Sequence, residues 1–327
     1  MPESTAGFPL KTGATLLSDL ENLTITSHSL IEDFLYTPKV TMIAADPGVG
    51  KSLIATQIAL SLSSATALFG IFAIPTPARV YYLQLEGDYE EFIERMRLMR
   101  EVVPLDPAYL CWDTTPVLNV LHPVHEDIVV KRIKSWGRPD LIILDPIYRT
   151  VRGGLSKDEP ASAFVQFSSR LKATFHCAQL LLHHTHRPSR ERDAKEEDDP
   201  FYGSQWLKAH VDVSYLLKAE NPDRSRASLI NKKARGANVL RYISLEYHPE
   251  TMTCSMRFNP GEGDALTRIL TYVNFCKQSG KVTDFYEVAQ VCSISHAHLR
   301  RQIKLPALIE KVDFANDPPN KTLWKPK

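Results

Sequence analysis

Short apolar runs alternate with helical patterns over most of the chain. Apolar runs that are too short for helices are typical of strands buried on both faces, as in a parallel sheet. Seven strands are predicted, at residues 40–45, 80–85, 141–144, 179–182, 213–218, 227–231 and 242–247. Apolar residues spaced three or four apart predict helices at residues 53–62, 89–100, 124–136 and 161–175. This alternation predicts an α/β fold in which helices flank a mainly parallel sheet.

The pattern changes near residue 260. Residues 259–263 contain Pro260, Gly261 and Gly263, so we place a domain boundary there. Short elements are predicted beyond it: helices at residues 264–276, 283–292 and 296–304, a tight turn at 293–295, and a turn and strand at 312–325. Their order resembles a winged helix-turn-helix. We therefore predict an N-terminal extension (1–29), an ATPase-sized α/β core (30–260) and a small winged-helix domain (264–327).

One uncharged stretch, residues 53–74, is long enough to span a bilayer. Ser, Thr and Gln residues interrupt it, however, which favours a buried core helix. We expect no membrane association.

The composition is that of an ordinary globular protein. The chain has 327 residues, 43% of them hydrophobic and 24% charged, with a net charge of +1. Its five cysteines are widely spaced and form no CxxC pair, which indicates neither a disulfide framework nor a cysteine zinc site. The first eleven residues lack the pattern of a secretory signal. We expect a cytoplasmic protein.

The near-zero net charge hides a segregation. Residues 264–327 carry ten Lys or Arg against six Asp or Glu, whereas the rest of the chain carries 29 against 32. Neutrality therefore does not exclude nucleic acid; it predicts a modest, salt-sensitive affinity that encircling a strand could raise.

A glycine-rich turn follows the first predicted strand. From Ala45 to Ser52 it fits the phosphate-binding motif G-x-x-x-x-G-K-[ST], except that alanine stands first. The two glycines let successive backbone N–H groups point at phosphate oxygens, and the following helix adds its positive end. The lysine can reach the β- and γ-phosphates and the serine can hold Mg²⁺. We therefore predict an ATP and Mg²⁺ site formed by Asp46, Pro47, Gly48, Val49, Gly50, Lys51 and Ser52.

Carboxylates follow two other strands. Asp145 ends the strand at 141–144, at the edge where ligands of α/β sheets bind, and is predicted to hold Mg²⁺ with Ser52. Glu86 follows the strand at 80–85, where it could orient or deprotonate the water that attacks the γ-phosphate. Asp88 is the second candidate for that role, and capping of the next helix is the alternative for both residues.

The strand at 179–182 ends in His183, His184 and His186. No cysteine or carboxylate follows at ligand spacing, so a metal site is disfavoured. A polar side chain at this strand end could sense the γ-phosphate and pass its state to the next loop. His184 is our candidate.

The order of these features resembles RecA-like ATPases. The phosphate loop, Glu86, Asp145, the histidine-tipped strand, Gly203-Ser204 and the region of Asp212 follow one another as in the RepA-type hexameric replicative helicases. The resemblance spans roughly residues 30–247. It implies that Glu86 is the catalytic base and His184 the γ-phosphate sensor.

The resemblance also implies a basic finger that acts on the neighbouring subunit. Its K-x-R pattern matches Lys233 and Arg235. A guanidinium placed against the transition state can supply about 10³ to 10⁵ in rate. A finger of this kind requires a homo-oligomer, and the family implies a hexamer; the alternative is a solvated basic turn.

Basic residues follow two of the same strands. Arg149 and Arg152 follow Asp145, and Arg187 and Arg190 follow His184, where they could contact single-stranded DNA. Because the second segment continues into acidic residues, a solvated excursion is its alternative. In the C-terminal domain, Arg300 and Arg301 lie on the predicted recognition helix. That domain could bind DNA or dock on a replication partner, since such folds serve both uses.

The leading hypothesis is an oligomeric ATP-dependent single-stranded DNA translocase or helicase in DNA replication, with ATP hydrolysed at subunit interfaces. One alternative is a RecA-like DNA-binding ATPase for repair, annealing or loading. Another is a replication initiator or regulator in which ATP controls assembly.

Overall fold

The computed structural model of the protein describes residues 28–114, 118–185, 204–237, 239–257, 265–278, 283–302, 304, 312–317 and 321–326. The strands within these ranges are β1 (His28–Ile31), β2 (Leu35–Thr37), β3 (Val40–Ala45), β4 (Val80–Gln84), β5 (Leu110–Thr114), β6 (Leu141–Asp145), β7 (Ala178–His184), β8 (Val213–Ala219), β9 (Arg226–Ala234), β10 (Tyr242–His248), β11 (Thr253–Met256), β12 (Thr283–Asp284), β13 (Val312–Asp317) and β14 (Lys321–Pro326).

The helices in the described ranges are α1 (Lys51–Ser64), α2 (Tyr89–Met99), α3 (Pro123–Trp136), α4 (Asp158–Phe175), α5 (Gln205–His210), α6 (Ala265–Gln278), α7 (Phe285–Val291) and α8 (His296–Gln302). A short 3₁₀ helix spans Ile147–Thr150.

Nine of the described strands form one sheet, in the order β11-β10-β9-β8-β3-β7-β6-β4-β5. The six strands from β8 to β5 in this order run parallel, and β9, β10 and β11 extend the sheet with antiparallel pairings. The sheet is therefore mainly parallel and flanked by helices, which confirms the predicted α/β class. Its architecture fits a RecA-like core.

The central strands are buried on both faces, and their alternation divides the core in two. Ile43, Tyr82 and Ile143 face the cluster that contains α1, whereas Met42 and Tyr81 face the cluster that contains α3 and α4. Because successive strand residues point to opposite faces, a run of apolar residues fills both layers. The continuous apolar runs in the sequence are explained by these two cores.

All seven predicted strands and four predicted core helices are present, with ends shifted by up to three residues. The sequence patterns did not predict β1, β2, β5, β11 or α5. These elements are short, and several have mixed polarity, as in the Leu-Cys-Trp-Asp-Thr run of β5. Strand preference depends strongly on the neighbours with which a segment pairs, so such runs carry little signal of their own.

The uncharged stretch beginning at residue 53 is accounted for by α1. Eleven of the fourteen residues of α1 are buried. Among the described residues, no helix has both the length and the apolarity needed to cross a membrane.

The described C-terminal residues combine three helices with a small sheet. The helix α6 buries Ile269 and Val273, and α8 buries Leu299. Asp284 caps α7 by accepting hydrogen bonds from the N–H groups of Tyr286 and Glu287. The strands β12 and β13 both pair with β14 in antiparallel fashion. The predicted boundary at 259–263 lies outside the described residues.

A buried glutamine joins α1 to the edge strand β11. The Gln57 side chain donates to the Cys254 carbonyl at 2.8 Å and accepts from the Cys254 N–H at 2.8 Å. Gln57 is only 3% exposed, so neither backbone group of Cys254 has ready access to water.

Gln57→Ala should therefore lower the free energy of unfolding by about 2 to 4 kcal/mol, because it leaves a buried donor and a buried acceptor unpaired. Equilibrium urea denaturation would measure the change. Gln166→Ala, on the exposed side of α4, is the matched control and should shift it by less than about 0.5 kcal/mol. Equal effects of the two substitutions would contradict this account of Gln57.

Candidate active site

The site lies where four parallel strands end together. In the β3–β7 pair, Ala45 lies opposite His184, and in the β4–β6 pair Gln84 lies opposite Asp145. Glu86 follows β4 by two residues. The strand register therefore brings the phosphate loop and three of the predicted polar residues to one edge of the sheet.

The phosphate loop has the backbone that its glycines predict. Gly48 and Gly50 adopt φ values of 75° and 103°, in the left-handed region that favours glycine. Gly50 is the N-cap of α1, whose first residue is Lys51. Ala45 is the last residue of β3 and lies outside the left-handed region, so its Cβ does not strain the loop.

Lys51 is held inside this loop. Its Nζ donates to the carbonyl oxygens of Ala45 at 2.8 Å and Asp46 at 3.1 Å. Burial lowers the pKa of Lys51 from 10.5 to about 8, although the carboxylates of Asp145, Asp46 and Glu86 oppose this shift. The loop thus encloses a cation that an anionic ligand would stabilise.

Ser52 and Asp145 form a pair of oxygen ligands beside the loop. Ser52 Oγ donates to Asp145 Oδ1 at 3.1 Å, and the buried phenol of Tyr82 donates to Asp145 Oδ2 at 2.5 Å. Burial raises the pKa of Asp145, and the hydrogen bonds from Tyr82 and Ser52 oppose this shift. A hydroxyl beside a carboxylate suits Mg²⁺, which prefers oxygen ligands. These residues fit the predicted metal.

Glu86 is held by two donors from the segment after β6. Tyr148 Oη donates to Glu86 Oε1 at 2.7 Å, and Arg149 donates to the same oxygen at 3.2 Å. Partial burial raises the pKa of Glu86, but these hydrogen bonds and the charge of Arg149 outweigh it and give a net lowering. Glu86 is therefore an ionised carboxylate at neutral pH.

His184 lies between Lys51 and Glu86. Its Nδ1 is 3.3 Å from Lys51 Nζ, and its Nε2 is 3.9 Å from Glu86 Oε2. Burial and the charge of Lys51 lower the pKa of His184, which favours the neutral ring. Because an ammonium can only donate, Nδ1 accepts and the ring proton lies on Nε2, facing Glu86. The structure thus joins three predicted catalytic residues in one row.

Asp88 takes the alternative role that the sequence left open. It is the N-cap of α2, and its side chain accepts from the Glu90 N–H at 3.0 Å. Asp88 is thereby committed to the helix end, whereas Glu86 faces the other site residues.

Sequence reasoning missed several contacts of the site. Arg224, in the turn between β8 and β9, donates to the Gly48 carbonyl at 2.6 Å. Thr185 donates to the Asp46 carboxylate. Tyr82 and Tyr148 were missed as well, and their positions one strand over or three residues after Asp145 were the only signals available.

Lys233 and Arg235 lie at the opposite edge of the sheet from the phosphate loop. Lys233 Nζ donates to the Lys208 carbonyl at 2.6 Å, and an Arg235 nitrogen is 3.9 Å from Asp212 Oδ1. Asp212 in turn accepts from the N–H of Val40, the first residue of β3. The six residues of β3 separate the two edges by roughly 16 Å. Within one subunit these cations do not lie beside their own loop.

The predicted DNA contacts fall in different surroundings. Arg149 lies in the 3₁₀ helix and contacts Glu86, whereas Arg152 is exposed in the turn that follows. Arg300 and Arg301 are exposed on α8, and Arg300 lies 6.0 Å from the Phe285 ring. The other two predicted contacts, Arg187 and Arg190, lie outside the described residues.

Comparison with known proteins adds the following. Similar solved structures include the RadB recombinase (16% identity, 68% of this chain and 91% of that chain covered, TM-score 0.48) and a helicase-sized ATPase domain (14%, 66% and 84%, 0.47). A KaiC-like protein from the hyperthermophilic archaeon Pyrococcus horikoshii OT3 is another (12%, 70% and 93%, 0.47). No curated protein matches. A family model described as an AAA domain (AAA_25) matches residues 8–190, more than half of the chain.

The enclosed cation should give stability a specific pH dependence. Between pH 8 and 10.5 the unfolded chain keeps the Lys51 proton and the folded chain loses it, so stability rises with pH. From pH 7.5 to 9.5, the free energy of unfolding of the wild type should rise by about 1 kcal/mol relative to Lys51→Met, allowing for solvent screening.

Urea denaturation without nucleotide at the two pH values would measure this difference. Lys131→Met, on the exposed face of α3, should follow the wild type. A Lys51→Met profile parallel to the wild type would show that Lys51 is not the titrating group.

Proposed function

The chain belongs to the AAA-domain family, and from that premise we propose that it is an oligomeric, ATP-dependent single-stranded DNA translocase or helicase acting in DNA replication. We assign it to the RepA type of hexameric helicase, with ATP hydrolysed at subunit interfaces. The phosphate loop, Asp145 and Glu86 supply the ATPase part of this proposal.

The contact between Arg149 and Glu86 carries the DNA part. Arg149 belongs to the basic segment proposed to bind single strands, and it lies 3.2 Å from the carboxylate proposed as catalytic base. A DNA phosphate that attracted Arg149 would withdraw a donor from Glu86. Strand binding and hydrolysis can therefore be coupled through a single pair of side chains.

The proposed chemistry divides among residues of one subunit. Lys51 and the N–H groups of the loop bind the phosphates, and Ser52 and Asp145 hold the metal. Mg²⁺ supplies charge neutralisation for the transferred phosphoryl group. Glu86 accepts the proton of the attacking water, since its low pKa keeps it ionised. The Nε2–H of His184 positions Glu86.

The position of Lys233 and Arg235 supports hydrolysis between subunits. Both lie at the far edge of the sheet from their own phosphate loop, so a neighbouring copy is the site they can serve. Their present contacts, the Lys208 carbonyl and the Asp212 carboxylate, are on the same subunit. A head-to-tail arrangement that places one edge against the other generates a ring.

The C-terminal elements support a winged-helix assignment for residues 264–327. The order α6, β12, α7, α8, β13, β14, with β14 central in the sheet, is the order of a winged helix. The exposed Arg300 and Arg301 on α8 could contact DNA phosphates or an acidic surface of a replication partner.

The proposal predicts an ATPase that single-stranded DNA stimulates. Glu86→Gln should retain nucleotide binding but lose about 10² to 10⁴ in turnover, because the base can no longer accept a proton. Steady-state phosphate release with and without an oligonucleotide would measure both effects. Glu94→Gln, on the exposed side of α2, should behave like the wild type.

Turnover that ignored DNA would count against the translocase and in favour of an initiator or regulator in which ATP controls assembly. DNA-stimulated turnover without strand displacement on a forked duplex would favour the non-unwinding DNA-binding ATPase.

The subunit arrangement predicts complementation. Arg235→Ala and Lys51→Ala proteins should each lose turnover, the first by about 10³-fold or more if the finger acts on the transition state. Mixing them should restore part of the activity, because an Arg235→Ala loop can meet the intact finger of a Lys51→Ala subunit. Phosphate release by the mixture is the measurement, and the absence of recovery would remove Arg235 from this role.

A further inference from the structure

An exposed tryptophan lies beside the proposed DNA segment. Trp206, in α5, is 54% exposed, which is unusual for a residue that is mostly buried on average. The next residue, Leu207, is 2% exposed and packs in the same core cluster as Val151 and Leu155. The short helix therefore buries one apolar side chain in the core and leaves the neighbouring indole accessible.

The backbone before Trp206 is fixed to that segment. The Ser204 N–H donates to the Leu155 carbonyl at 3.0 Å, and Ser204 Oγ donates to Asp158 Oδ1 at 2.7 Å. Ser204 also caps α5 by accepting from the Trp206 N–H at 3.3 Å. The indole thus projects from a short helix whose start is bonded to residues 155 and 158, and binding would order little of it.

The adjoining surface carries cations suited to phosphates. Arg152 and Lys157 are exposed in the turn between the 3₁₀ helix and α4. Gly153 and Gly154, with φ values of 95° and 84°, bear no side chains that would cover the turn. The nearby carboxylate of Asp158 is already engaged by Ser204. An accessible aromatic face next to cations on an open turn is the combination that binds single strands without sequence preference.

We propose that Trp206 is a stacking platform for a base of single-stranded nucleic acid, with Arg152 and Lys157 contacting the adjacent phosphates. The inference rests on the proposed function and deepens it, since it names the residue that binds bases as distinct from the cations that bind the backbone. Stacking explains the exposure of the indole, and the cations explain its location.

The test compares Trp206→Ala with Trp206→Phe in the full chain. With an oligothymidylate probe and fluorescence anisotropy, Trp206→Ala should weaken binding about tenfold, whereas Trp206→Phe, which keeps an aromatic face, should lose about threefold or less. The slope of log Kd against log salt should stay unchanged for both, because no phosphate contact is removed. Arg152→Ala should instead reduce that slope by about one.

Two controls separate stacking from misfolding. Thermal unfolding of Trp206→Ala should match the wild type, as expected for an exposed position. Ile128→Ala, which truncates an exposed apolar residue on α3, should leave DNA affinity unchanged. The oligonucleotide should also quench the wild-type tryptophan fluorescence more than that of Trp206→Phe.

The outcomes distinguish this inference from the function on which it rests. A wild type that fails to bind the oligonucleotide overturns the proposed function. A wild type that binds while Trp206→Ala retains full affinity overturns the stacking role alone. A variant that changes the mass of the assembly identifies Trp206 as a subunit contact, which also overturns it.

Discussion

Enclosing the Lys51 cation is the constraint on which the site depends. Burial disfavours the ammonium and lowers its pKa to about 8, and two loop carbonyls with three surrounding carboxylates limit that effect. These groups reach Lys51 only because parallel strands end together, with Ala45 opposite His184 in register. A bound anion would regain part of the free energy that enclosure of the cation costs. The sheet edge is thus arranged for a negatively charged ligand.

The same edge holds Glu86 in a state that suits regulation. Its carboxylate is ionised, but Tyr148 and Arg149 both donate to one of its oxygens. A carboxylate that accepts several hydrogen bonds is stabilised in its charged form and is a weaker base. In the proposed function, a single strand would change this by drawing Arg149 away, with Trp206 holding a base nearby. Affinity for the strand and rate of hydrolysis would then depend on neighbouring side chains of one segment.

The antiparallel direction of β9 has a consequence for assembly. It brings the turn with Arg224 to the phosphate loop and carries Lys233 and Arg235 to the far edge of the sheet. One strand thereby presents a cation to its own site and two cations away from it. In the proposed ring, the second pair completes the site of a neighbour, so the single subunit holds both halves of the catalytic interface on opposite edges.

The sequence by itself determined the α/β alternation, the phosphate loop and Asp145 at a strand end, because each is encoded by residues adjacent in the chain. It did not predict edge strands such as β5, whose pairing partners decide their conformation. It also missed the donors to the acidic residues. Tyr82 and Asp145 are 63 residues apart, as are Arg149 and Glu86, and Arg224 and Gly48 are 176 apart. Only strand order and register bring such residues together, since local spacing carries no record of which strands become neighbours.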